Sequence, residues 1–68
     1  MGPANASLDR EDLDLLALLA EGLSVETIAR RLDLSDRTVR RRLRSICDRL
    51  GLVAPIQAVV WAARRGLV

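Results

Sequence analysis

The chain has 68 residues, half of them hydrophobic, with one cysteine, no histidine or tyrosine and a formal charge of +2. That is room for one domain, with about 3–5 kcal/mol of net stability from so small a core. The usual acid–base and nucleophile sets, a second thiol, and an apolar run near the roughly 20 residues of a membrane span are all missing, so an enzyme, a metal, cofactor or small-molecule site and a membrane segment are not expected.

Residues 1–7, MGPANAS, carry neither a basic start nor an apolar stretch. They read as a flexible lead-in rather than a secretory signal, either a vector remnant or the end of an interdomain linker. The folded domain is expected at 8–68, in a reducing cytoplasm that suits the lone thiol.

A first helix is expected from about Arg10 to Glu21. Asp9 is a good N-cap, Asp12 stands three residues on as in a capping box, and Leu8 and Leu13 take the staple positions. Leu15, Leu16, Leu18 and Leu19 recur at helical spacing, and Gly22 supplies a stop. Ser24 caps a second, short helix that ends near Leu32, with Ile28 and Leu32 facing inward and Ala29 small enough for another helix to approach.

Asp33, Leu34 and Ser35 form a turn, and Ser35 caps a third helix from Asp36 to about Leu50, stopped by Gly51. Val39, Leu43, Ile46, Cys47 and Leu50 make one narrow apolar stripe, so Cys47 reads as a small packed hydrophobe rather than a redox group. Arg37, Arg41, Arg44 and Asp48 fall opposite that stripe. Arg40 lies on one flank, and Thr38, Arg42, Ser45 and Arg49 lie toward the other.

Pro55 opens a fourth helix that runs to about Arg65, with Gly66 after it. It has two apolar stripes on roughly opposite sides: Ile56, Val59, Val60 and Ala63, then Ala58, Trp61 and Ala62. A helix apolar on both sides is buried on both. The expectation is that Ala58, Trp61 and Ala62, with Arg65, meet another chain, although Trp61 also suits the chain's own core.

The small net charge hides a segregation. Residues 1–29 carry one arginine against six carboxylates, whereas residues 30–49 carry eight arginines against three. A basic middle is the footprint of a polyanion binder, although a solvated face has the same composition. The segment 25–44 has the anatomy of a helix-turn-helix, with Ala29 at the crossing and Ile28, Leu34 and Val39 where two helices share a core. In that motif the second helix enters the major groove, here presenting Arg37, Thr38, Arg40, Arg41 and Arg44. The arginine fork bonds guanine O6 and N7 together or grips phosphate. The Ser35 and Thr38 hydroxyls and the amides at the helix start suit a phosphate. Arg42 equally suits a place over the edge of the core. Arg30 and Arg31 read as solvated, and Asp12 and Asp14 as helix-start charges rather than catalytic carboxylates.

LAEGLS at Leu19–Ser24, IARRL at Ile28–Leu32, S-x-x-TV-R at Ser35–Arg40 and I-x-x-R-L-G at Ile46–Gly51 together resemble the LuxR/FixJ-type DNA-binding domain of bacterial transcription factors. The resemblance covers about 8–68. It implies an all-α, four-helix helix-turn-helix bundle of the LuxR/GerE type in the bacterial cytoplasm, with double-stranded DNA as partner. It further implies a homodimer through the C-terminal helix, weak without DNA, and a contact with RNA polymerase. Arg40 and Arg41 match positions that touch bases or nearby phosphates, Arg44 a groove-facing position, and Arg49 a backbone-contacting one. The candidate DNA-binding set is therefore Ser35, Arg37, Thr38, Arg40, Arg41, Arg42, Arg44, Ser45 and Arg49, on a recognition helix at about 36–50. Two positions depart from the family, Asp33 for a glycine and Arg42 for a frequent histidine. TVRRRLR at Thr38–Arg44 is also similar to sigma-factor region 4, which leaves a promoter-recognition module as one alternative. A protein–protein adaptor using the Trp61 face is another.

Overall fold

The computed structural model describes residues 8–68; the lead-in expected at 1–7 lies outside the described residues. These form four helices and no strand: α1 (Arg10–Ala20), α2 (Val25–Leu32), α3 (Asp36–Leu50) and α4 (Pro55–Arg64). The helix starts are set by local chemistry. Asp9 Oδ1 accepts from the Asp12 amide at 2.9 Å while Asp12 Oδ2 accepts from the Asp9 amide at 3.3 Å, a reciprocal box that satisfies two orphan donors. Ser24 Oγ accepts from the Thr27 amide at 3.2 Å and Ser35 Oγ from the Thr38 amide at 3.1 Å. α4 has no such side-chain acceptor at Ala54 and starts on Pro55, whose fixed φ suits the first helical position.

All four helices end the same way. An amide just past the end reaches back five residues, from Leu23 to Leu18, Leu34 to Ala29, Leu52 to Cys47 and Leu67 to Ala62. Each of these leucines follows a residue with positive φ and packs against the core. This is the hydrophobic contact that accompanies a left-handed helix stop. Three of the four left-handed residues are glycine, and the fourth is Asp33 at φ 58°, ψ 46°. Aspartate tolerates this region better than most residues, so the turn forms without glycine. α1 and α4 each end one residue earlier than their spacing suggests, with Glu21 and Arg65 as caps.

The core joins Leu15 and Leu16 of α1, Ile28 and Ala29 of α2, Val39, Leu43, Ile46 and Cys47 of α3, and Ala58 and Ala62 of α4. Large aliphatic side chains so placed contribute about 1.5–3 kcal/mol each. α1 and α3 pack on each other and on both remaining helices, whereas α2 and α4 do not meet. α3 is thus gripped on its apolar stripe by the rest of the chain, and its opposite face is left to the outside.

One expectation is overturned in α4. Ala58 and Ala62 are 1% and 0% exposed, seated in the chain's own core, so neither is available to another chain. Their lack of bulk is the reason: alanines let α4 come close to α1 and α3. Of the stripe expected to face inward, only Val59 packs against the core; Ile56 is 65% and Val60 43% exposed, and Ala63 is exposed beside them. Trp61 is half-buried against the core, and the Arg65 guanidinium lies 4.3 Å from its ring centroid.

Candidate nucleic-acid interface

The exposed side of α3 follows from its sequence period. With Val39, Leu43, Ile46 and Cys47 buried, Arg37, Arg40, Arg41 and Arg44 are carried outward, and all four are exposed. They share one open cleft of about 860 Å³, whose lining also includes Val25, Leu52, Val53 and Pro55. Among the described residues, no carboxylate comes within ion-pair distance of any of these four arginines. Among the described residues, Asp48 is the only acid lining the cleft. The cleft therefore holds a cluster of unneutralised planar forks, suited to phosphate oxygens and to the O6/N7 edge of guanine.

The two candidates at the start of α3, Ser35 and Thr38, do not line the cleft and are bonded to each other. The Ser35 hydroxyl donates to Thr38 Oγ1 at 2.9 Å while accepting from the Thr38 amide. Both hydroxyls thus hold the helix start in shape. Ser45 is exposed on the flank, and its carbonyl accepts from Arg49 Nε at 3.3 Å.

Arg42 and Arg49, expected with the DNA-facing set, are instead drawn toward α1. Arg42 Nη1 donates to Glu11 Oε1 at 2.8 Å, and Arg49 Nη2 lies 2.9 Å from Asp12 Oδ2. The physical reason is their position on the flank that meets the acidic first turn of α1. The hydrogen bond to Glu11 holds the Arg42 guanidinium above its ordinary pKa against a small opposing effect of burial, with the charges of Glu11, Asp12 and Asp9 adding to it. Cys47 lies at the inner edge of the cleft, buried, and burial pushes its thiol up, with Asp48 contributing. A thiol so placed is a packing group and not a nucleophile.

The loop from Gly51 to Ala54 also frames the cleft, a feature that composition did not reveal. Gln57 Oε1 accepts from the Val53 amide at 2.8 Å and the Ala54 amide at 3.0 Å, which pins the loop to α4. Val53 is thereby held 91% exposed beside the arginines. A glutamine three residues after a helix start was the available signal. No single helix among the described residues is long and apolar enough to cross a membrane.

Comparison with known proteins agrees with this anatomy. Residues 6–62 match the family model described as bacterial regulatory proteins, luxR family. A Mycobacterium bovis protein provisionally named an HTH-type transcriptional regulator is 45% identical over 60 residues, which is 88% of this chain and 7% of that protein. The nitrate/nitrite response regulator protein NarL of Escherichia coli is 35% identical over 54 residues, covering 79% of this chain and 25% of NarL. The transcriptional regulatory protein YdfI of Bacillus subtilis is 36% identical over 61 residues, 90% of this chain and 29% of its own length. The chain thus spans less than a third of the length of each of these relatives.

Proposed function

The chain belongs to the luxR family of bacterial regulatory proteins as its helix-turn-helix domain, and from that premise we propose that it binds duplex DNA sequence-specifically, with α3 in the major groove. The observation that carries this reading is the arginine cluster. Arg37, Arg40, Arg41 and Arg44 project from one exposed helix face into one cleft with no internal counter-ion among the described residues. The family match also favours this reading over the sigma-factor alternative. Arg40, Arg41 and Arg44 read base edges or adjacent phosphates, Arg37 contacts backbone near the helix start, and the amides capped by Ser35 add a phosphate contact.

The outward stripe of α4, Ile56, Val60 and Ala63, pairs two copies on a two-half-site operator. These residues, with Val53 and Val68, include every large hydrophobic left exposed among the described residues. An apolar stripe on a helix with nothing of its own chain over it is the expected form of such an interface. By analogy with its relatives, the domain serves transcription regulation.

Selection of bound duplexes from a random pool, followed by anisotropy titration across a salt series, tests the reading. Enrichment of an inverted repeat is expected, with affinity falling steeply as salt rises. Alanine at Arg41 or Arg44 should weaken binding by about 1–3 kcal/mol if the side chain reads a base. Absent or salt-insensitive binding would overturn the proposal.

A further inference from the structure

We propose that Glu11 limits the strength of DNA binding by holding Arg42, an arginine of the recognition helix, away from the phosphate backbone. This rests on the reading of α3 as the DNA-facing helix.

The arginines of α3 fall into two populations. Among the described residues, Arg37, Arg40, Arg41 and Arg44 meet no carboxylate, while Arg42 and Arg49 are engaged by consecutive residues of α1. The two engaged pairs differ in kind. Asp12 is only 7% exposed at its side chain and belongs to the α1 capping box, so its pair with Arg49 is structural. Glu11 is 70% exposed and Arg42 37% exposed. A pair this well solvated holds its guanidinium only loosely, which keeps the competition to a few-fold effect on DNA binding.

The geometry also makes Glu11 an effective competitor. It sits in the first turn of α1, one residue before Asp12; the Asp9–Asp12 box fixes the shape of that turn, and the Asp12–Arg49 pair ties it to α3. Arg42 stands on the α3 flank shared with Thr38 and Ser45, the edge of a recognition helix that faces a phosphate strand when its centre faces the bases. A DNA phosphate and Glu11 therefore compete for one guanidinium. Binding at Arg42 must first break a 2.8 Å charge-assisted contact. The arginines in the cleft face no such competition. The result is a weaker sequence-independent term with base readout left intact, which favours specific over non-specific sites.

A double-mutant cycle read by anisotropy across a salt series tests this, using a duplex selected from the random pool. Glu11→Gln should tighten binding about two- to fivefold at physiological salt. It should also steepen the salt dependence by roughly 0.9 in log–log slope, the equivalent of one further phosphate. The gain from Glu11→Gln should be lost in an Arg42→Ala background, where the carboxylate has no guanidinium to hold. An unchanged or weakened Glu11→Gln variant would overturn the proposal. So would an equal gain in the Arg42→Ala background, which would mark a bulk charge effect. Absence of salt-dependent binding by the parent would overturn the DNA-binding reading as well, whereas normal parent binding with an inert Glu11→Gln overturns this proposal alone.

Discussion

Arg49 Nη2 stands 2.9 Å from Asp12 Oδ2, and that same oxygen accepts from the Asp9 amide at 3.3 Å. One nearly buried carboxylate thus finishes the start of α1 and ties it to the far half of α3. Removing it should cost both functions at once. Asp12→Ala is expected to lose about 1–3 kcal/mol, the sum of a broken cap and a lost ion pair. For a domain of this size each kcal/mol lowers the melting temperature by roughly 4–8 °C. Asp12→Asn keeps an oxygen for the Asp9 amide and should fall between. Thermal melts followed by circular dichroism would decide, and an Asp12→Ala melt superimposable on the parent would refute the coupling.

Asp33 offers the opposite experiment, a substitution expected to stabilise. Its φ of 58° lies in the left-handed region, which costs a side-chain-bearing residue and is free for glycine. Asp33→Gly should gain about 0.5 kcal/mol, the relief of strain being partly offset by the greater freedom of the unfolded chain. The denaturant midpoint should rise with the slope unchanged. Because Asp33 lies outside the arginine cleft, DNA affinity should stay the same. A lower midpoint would show that the aspartate is supplying an interaction that outweighs its backbone cost.

The thiol of Cys47 is 4% exposed, and burial raises its pKa. The sign is simple: a raised value leaves less thiolate at any pH below it, and thiolate is the reacting form. Alkylation of the folded protein at neutral pH should therefore be slower than that of the same chain in denaturant, and the nearby arginines should not reverse this. Rate measurement with iodoacetamide, with and without guanidinium chloride, checks it. Equal rates would mean that the inner edge of the cleft opens readily.

The parts of this structure that were legible in the sequence are those decided within one turn of chain. Asp9, Ser24 and Ser35 cap the residues three positions on, and Gly51 ends α3 by its own φ, so the helix limits needed no tertiary knowledge. The arginine face was legible for the same reason, since burying Val39, Leu43 and Ile46 leaves Arg37, Arg41 and Arg44 no other direction. Two features were not. Arg42 and Glu11 are 31 residues apart, and only the crossing of α1 over α3 brings them together. The choice between the two stripes of α4 was equally hidden, because both are apolar and hydropathy does not rank them. Closeness of approach does: two alanines fit against α1 and α3 where Ile56 and Val60 would hold the helices apart.

That choice yields the sharpest contrast between two substitutions on one helix. Val60 lies outward at 43% exposure and Ala58 inward at 1%, two residues apart. Val60→Glu should leave the monomer folded, since the carboxylate reaches water, but should disrupt pairing on DNA because like charges then face each other across the interface. Ala58→Leu should do the reverse. Its extra methyl groups have no room between α4 and its neighbours, and overpacking of this kind costs about 1–3 kcal/mol, a large part of what so small a domain has. Melting temperature and the cooperativity of binding to one- and two-half-site duplexes separate the outcomes. Loss of cooperativity with an unchanged melt is expected for Val60→Glu, and a depressed melt for Ala58→Leu. Full cooperativity in Val60→Glu would remove the outward stripe from the interface and leave the exposed apolar residues of α4 without a partner of their own kind.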